Sequence, residues 1–261
     1  MAMRIVVCVK PIPRAAVGRR LDAATGRLDR SGPSELNPPD EYAVEEALLI
    51  RDRVGAEVVA LAMTPDSGVE SLRTPLAMGV DRAIAVRDPA LEGSDLVVTA
   101  RVLALALARE TPDLIIFGSQ AEDGGGAMLW GAIGDRLRLP VIAGGRNVQV
   151  IDGRVRVTRQ WADSVQVVEA PLPCIVALSG SVNTPRYPSL RGIVAAKRQS
   201  IPMVSIADLG LQPEECGTAG SRTRVLSVAP AAPRRTQAEI VKDEGHGAEW
   251  LIDFISQRTP L

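Results

Sequence analysis

"EVVALAMTPDSGVESLRTPLAMGVDRAIAV", residues 57–86, is the stretch on which the fold turns. After Glu57 it opens on the unbroken apolar run 58–63, rich in Val and Ala. A continuous run of that kind, with no polar alternation, suits a strand buried on both faces. A segment of helical character follows over 67–79, with Gly79 at the place of a helix stop. "RAIAV", 82–86, is a second short strand. Strand, helix and strand in this space form a crossover unit, whose strands run parallel with the helix on one face. Pro75 lies late in the helical segment. A proline inside a helix lacks an N–H and clashes with the preceding turn, at a cost of about 3 kcal/mol, so a bend or late restart is expected there.

The alternation continues on both sides of this unit. Upstream, 4–10 is a compact Val/Ile strand, and "EYAVEEALLIRDRVG" is a helix with Gly55 at its end and Asp40 before it as cap. Between them, 11–39 is a long excursion rich in Pro, Gly and charge, in which "LDAATGRL" has the make-up of a small hairpin turning at Thr25-Gly26. Downstream come an apolar helix (96–110), the strand "DLIIFG", a helix from "MLWGAIGDRLR" and the strand "PVIAGG". After Asn147 the pattern changes: "NVQVIDGRVRVTRQW" is a hairpin with an Asp152-Gly153 turn of type I′, and 164–170 and 173–180 are further strands. A proline-punctuated loop and short basic helix follow. Then comes an exposed linker (213–237) with one embedded strand at 224–228, and an amphipathic terminal helix (247–258). The expected fold is α/β, a parallel-core sheet with helices on both faces, extended by a β-hairpin and by a C-terminal arm. The expected division is 1–210 for the α/β domain and 211–261 for the arm.

Bulk properties narrow the function. With 46% hydrophobic and 23% charged residues, the 261-residue chain can bury a full core. Aromatics are only 3%, which suits a Val/Ala-rich parallel sheet. A net charge of -1 gives no electrostatic reason to expect nucleic acid or an anionic membrane. Cys8, Cys174 and Cys216 are far apart and make no CxxC pair or disulfide framework; His246 is the single histidine. No metal site and no catalytic residue is expected, since no nucleophile has a base beside it and no GxSxG, HExxH or P-loop lysine is present. No apolar run is long enough to span a bilayer, and "MAMRIVVCVK" is too short a core for a signal peptide, so a cytoplasmic location without membrane insertion is expected.

Three stretches offer binding chemistry. "SQAEDGGGAMLWG", 119–131, follows a strand and enters a helix. Consecutive glycines free the backbone for positive φ, their amides form an anion nest, and a helix N-terminus behind them favours phosphate. The motif matches neither GxGxxG nor GxxxxGK[ST], and a plain loop entering a helix accounts for it equally well. In "NPPDEYAVEEA", the carboxylates Asp40, Glu41, Glu45 and Glu46 are expected on a solvated helix face. "PRYPSLRGIVAAKR" offers Arg186, Tyr187 and Leu190 as interface anchors. The first strand end (8–10) and the next (63–66) belong to the same crevice as the glycine loop, at the carboxyl ends of parallel strands.

Taken in order, "RIVVCVKPIP", "LNPPDEYAVEEAL", "SLRTPLAMGVDRAI", "DLIIFGSQAEDG", "LPCIVALSGSVNTPRYPSLRGIVAAKR" and "SIADLGL" resemble the β subunit of electron transfer flavoprotein over nearly the whole chain. The resemblance implies an adenine nucleotide α-hydrolase-like fold and an electron carrier rather than an enzyme. It implies an α subunit holding most of a shared FAD, a flavin dehydrogenase as donor, and a quinone oxidoreductase or other acceptor. It also implies AMP, or a second FAD, in this subunit, lined by Cys8, Asn37, Pro38, Pro39, Asp40, Met63 and Pro65 and by the loop carrying Gly118, Gln120, Asp123, Gly124, Gly125, Gly126, Ala127 and Met128. Docking would fall to Pro185, Arg186, Tyr187, Leu190, Lys197 and Arg198, and the linker and last helix would wrap the α subunit. Gly125, Gly126, Ala127, Met128 and Trp130 stand where the family carries polar groups and a glycine, so a phosphate here would rest on backbone amides, or the site would have lost its nucleotide and left a scaffold subunit. A nucleotide-binding module of the stress-protein or ATP-pyrophosphatase-like type is the alternative reading.

Overall fold

In a computed structural model, residues 3–15, 20–180, 182–229 and 240–258 are described. The elements run, in order, β1 (Met3–Cys8), β2 (Pro11–Pro13), β3 (Leu21–Asp22), β4 (Arg27–Leu28), β5 (Ser34–Leu36), α1 (Pro38–Val54), β6 (Ala56–Met63), α2 (Asp66–Val69), α3 (Arg73–Met78) and β7 (Arg82–Val86). They continue with α4 (Leu96–Glu110), β8 (Leu114–Phe117), α5 (Leu129–Leu137), β9 (Val141–Ile151), β10 (Arg154–Trp161), β11 (Ser164–Pro171), β12 (Cys174–Leu178), α6 (Leu190–Arg198), β13 (Met203–Val204), α7 (Gly217–Gly220) and α8 (Gly247–Ser256).

Nine strands form one sheet in the order β11-β10-β9-β12-β8-β1-β6-β7-β13. Pairing is parallel from β9 to β13 and antiparallel only where β10 joins β9 and β11. The unbroken apolar runs explain this, because side chains alternate between two buried faces. Ile5, Val7, Val58 and Ala60 join the layer under α1 and α3, while Val6, Val59, Leu61 and Ile115 join the layer under α4 and α5. The fold class expected from the sequence is the one observed.

Helix α1 starts on Pro38 and Pro39, where a missing N–H costs nothing, and ends at Gly55, whose φ of 73° lets its amide reach Arg51 O. Asp40 is therefore not the cap; it lies inside the first turn and is buried. Pro75 breaks its helix as expected. A 3-10 turn, Glu70–Leu72, separates α2 from α3, and Pro75 falls in the first turn of the restart, where no amide donor is needed. The small β3–β4 hairpin forms, with Gly26 at φ 66°.

Three expectations are corrected. "PVIAGG" and the following strand are one strand, β9. Gly144 takes φ 77°, so β9 bends, pairing parallel with β12 up to Gly145 and antiparallel with β10 beyond it. The strand expected at 224–228 does not form. Residues 213–220 are not linker but a 3-10 turn and α7, with Cys216 buried against the α4 layer. The chain divides into compact units Met1–Leu226 and Ser227–Leu261, so 211–226 stays with the first. In the second unit, α8 stacks Trp250 on Phe254 at 4.9 Å, with Arg258 over the Phe254 ring at 3.6 Å.

Asp95 ties 222–223 to the start of α4. Its Oδ1 accepts from Val97 N and Val98 N, both at 3.0 Å, and its Oδ2 accepts from Arg222 N at 2.7 Å and Thr223 N at 2.9 Å. One carboxylate thus caps α4 and clamps the outgoing chain. Asp95→Ala is expected to cost about 2 kcal/mol, read as a lower urea midpoint. Asp95→Asn keeps an oxygen for the helix amides and should lose less; equal midpoints for all three proteins would refute the clamp.

Candidate functional site

Beyond the carboxyl ends of β8, β1 and β6 the chain builds a crevice from the turns after β1 and β8 and the start of α1. Lys10, next after β1 and Val9, donates its backbone N–H to Asp40 Oδ2 at 2.8 Å, and its carbonyl accepts from Asn37 N at 2.9 Å. Asn37 is buried and grips the glycine loop from below: its Nδ2 donates to Gln120 O at 3.0 Å, and its Oδ1 accepts from Glu122 N at 3.0 Å. Its side chain therefore shapes the loop rather than facing outward as a free ligand group.

Gly118 closes the floor. A Cβ there would lie 2.5 Å from Asp40 Oδ1 and 2.6 Å from Pro39 O. Asp40 is 6% exposed, and burial, aided by the nearby Asp123 charge, pushes its carboxyl up to about 7 against the pull of Lys10 and Asn37. Cys8 is buried beside it. Burial and the Asp40 charge drive its thiol far above the ordinary range, which removes it as a nucleophile and leaves a packing role.

Asp123 holds two cations. Lys10 Nζ lies 2.7 Å from its Oδ1, and Arg30 binds its Oδ2. Burial opposes its ionisation, but the two cations outweigh it and hold the carboxyl below the usual range. The sequence places Lys10 at the crevice only as the end of the first strand, and Arg30 not at all. Lys10 was detectable from its place after β1; Arg30 was not, because the excursion that brings it back has no periodic signal.

The glycine loop then opens. Gly124 N and Gly125 N donate to Ala121 O at 3.3 and 2.7 Å. Gly125 and Ala127 take φ of 59° and 44°. The amides of residues 126–130 have no acceptor among the described residues, and they lead into the N-terminus of α5. Met128 is exposed, while Trp130 is half-buried and packs against the α4–α5 layer. Pro38 is exposed and Pro39 half-buried; at the end of β6, Met63 is half-buried and packed on the core, and Pro65 beyond it is exposed.

A second candidate surface surrounds α6. Tyr187 is 96% and Leu190 79% exposed, with Lys197 and Arg198 also exposed and Pro185 half-buried. Arg186 departs from expectation. Its guanidinium turns inward onto Glu45, through Nε at 2.8 Å and Nη2 at 3.0 Å. The expected solvated carboxylate face of α1 is corrected by the same contacts. Glu45 and Glu46 are buried under the 183–186 loop, and only Glu41 stays half-exposed. No helix among the described residues is long and apolar enough to cross a membrane.

Residues 25–209 match the family model described as the electron transfer flavoprotein domain. The chain is 33% identical over 258 residues to the electron transfer flavoprotein subunit beta of Mycobacterium tuberculosis, covering 96% of this chain and 97% of the relative. It is 34% identical to the subunit of the same name from Thermoanaerobacterium thermosaccharolyticum, covering 98% and 99%. It is 39% identical over 234 residues to the caffeyl-CoA reductase-Etf complex subunit CarD of Acetobacterium woodii, covering 88% and 89%. Similarity running end to end along beta subunits does not favour a stand-alone nucleotide-binding module. With the parallel sheet and crevice described above, these matches show that the chain belongs to the electron transfer flavoprotein family, among its beta subunits, with a role in electron transfer.

Proposed function

We propose that this chain is the beta subunit of a heterodimer, in which an alpha subunit holds most of a FAD and this chain docks the electron donor and keeps an adenine nucleotide in its crevice. The observation that carries the nucleotide reading is the row of amides at 126–130 that have no acceptor among the described residues. A buried phosphate needs donors, and a backbone nest at a helix N-terminus provides them without side chains. The residues present fit a phosphate. The Gly126–Met128 backbone would hold it, with Lys10 and Arg30 close by on Asp123, in place of the polar side chains that this loop lacks. AMP there would be structural, and the redox chemistry is supplied by the flavin when it is bound. This chain's own residues bind and orient; none is assigned a bond-making role.

The surface around Tyr187 and Leu190 is the proposed dock for a flavin dehydrogenase, with a quinone oxidoreductase or another acceptor as the outlet. Exposed apolar anchors beside Lys197 and Arg198 support this reading, since aromatic and aliphatic anchors ringed by charge are the usual centre of a docking patch. Acid extraction of the co-purified heterodimer, followed by chromatography, tests the nucleotide. AMP equimolar with FAD is expected. FAD alone would make the crevice a relic, and a double FAD content without AMP would assign it to a second flavin.

A further inference from the structure

We propose that Glu45 is a positioning residue for docking: acting through Arg186, it fixes the backbone from which Tyr187 and Leu190 project. The inference rests on the docking role proposed above for that loop. Glu45 is 4% exposed, midway along α1. Its Oε2 accepts from Arg186 N at 3.0 Å as well as from Nε at 2.8 Å, and its Oε1 accepts from Nη2 at 3.0 Å. Main chain and side chain of one residue are thus held by one carboxylate, so the loop cannot swing at that point without breaking all three bonds. Asp52 adds a contact to Nη2 at 3.2 Å.

The neighbouring residue on α1 repeats the device. Glu46 accepts from Asn183 Nδ2 at 3.1 Å, and the same amide reaches Tyr42 O at 3.0 Å. The far end of the ridge is tied to another helix. A Cβ on Gly192 would lie 2.6 Å from Ala77 O, so α6 lies tight on α3, and Arg73 Nη1 donates to Ala196 O at 2.7 Å. Tyr187 and Leu190 sit between these anchorages, with almost no cover of their own.

A buried ion pair is a poor device for stability alone, because an apolar pair of similar volume is often as stable or more so. A three-bond grip does hold one loop geometry. A loop already in its bound shape avoids the ordering cost that a free loop pays on association. The grip also makes α1 the shared support of both sites: its first turn floors the crevice through Asp40, and its middle turns hold the ridge.

The test uses the flavin-loaded heterodimer, with a flavin dehydrogenase that reduces the wild-type complex as electron donor. Glu45→Gln keeps the shape and removes the charge. Amide exchange over 183–192 should accelerate about tenfold, with β1 and β8 unchanged. KM for the complex should rise about tenfold, with kcat and the flavin spectrum unmoved. Arg186→Gln should do the same, and the double variant should be no worse than either single one. Arg186→Lys keeps the charge but loses the fork, and it should fall between; it carries the test if Glu45→Gln does not fold. Unchanged exchange and KM in Glu45→Gln overturn the inference. A KM raised by Leu190→Ala but not by Glu45→Gln overturns it alone, whereas a KM unmoved by Leu190→Ala removes the docking reading and the inference with it.

Discussion

Gly118→Ala is expected to destabilise the protein by about 3 kcal/mol, a large effect for one methyl group. The reason is space, not backbone conformation. The new Cβ would sit 2.5 Å from Asp40 Oδ1, 2.6 Å from Pro39 O and 2.8 Å from Pro39 C. Two of these are main-chain atoms at the rigid Pro-Pro start of α1, which cannot turn aside as a long side chain would. Relief requires β8 and the start of α1 to part, and that would also loosen the Asn37 grip on Gln120 and Glu122. Gly126→Ala is the control. No atom lies within 4 Å of a Cβ there, so its cost should stay within about 0.5 kcal/mol, as for ordinary surface substitutions. Urea denaturation followed by circular dichroism checks both. Equal midpoints for Gly118→Ala and Gly126→Ala would mean that α1 yields freely, contrary to the packing described. The adenine nucleotide content of the heterodimer should fall with Gly118→Ala.

The contrast between these two glycines shows what was legible in the sequence. Parallel strands announce themselves as unbroken Val/Ala runs, and Gly55 and Gly79 mark helix ends because the left-handed caps need them. Both signals are local. Gly144 misled for a local reason: a Gly-Gly pair looks like the end of a strand, but here it bends one. The carboxylates of α1 misled for a non-local reason. Four acidic residues near the start of a helix normally face water, and nothing near Glu45 in the chain shows that Arg186, 141 residues later, will cover it. Arg186 was misread by the same fact seen from the other end. The charge arrangement beyond the strand ends was legible only in part: Lys10 follows β1 almost directly, but Arg30, 93 residues before Asp123 in the chain, carries no local signal that the two will pair. Tertiary pairing of charges, then, is where reading from the sequence ran out.

Asp40→Asn is expected to change how stability depends on pH. Burial is the main force raising this carboxyl, from the ordinary 3.8 to about 7, with Asp123 adding to it and the Lys10 amide, Asn37 and the Lys10 charge opposing. The folded chain therefore keeps a proton that the unfolded chain has released. Stability from this group is full below the unfolded value, declines as pH rises through the folded value, and is flat above it. Over the whole window the loss amounts to about 4 kcal/mol, from a shift of roughly three pH units at about 1.4 kcal/mol each. Groups held low by partners, such as Asp123 and Glu57, act in the opposite direction and in the acid range, where stability falls as pH falls. They are present in wild type and variant alike, so the difference between wild type and Asp40→Asn isolates Asp40. Glu46, also raised by burial, is present in both proteins and cancels. Urea midpoints taken at intervals from about pH 5 to 8 should show the variant gaining on wild type by about 1.4 kcal/mol per pH unit at first, then levelling off. Two parallel curves would mean that the crevice floor is wet enough for Asp40 to ionise normally. A gap that widens only below about pH 5 would have the wrong sign for a raised carboxyl and would make Asp40 a held anion like Asp123.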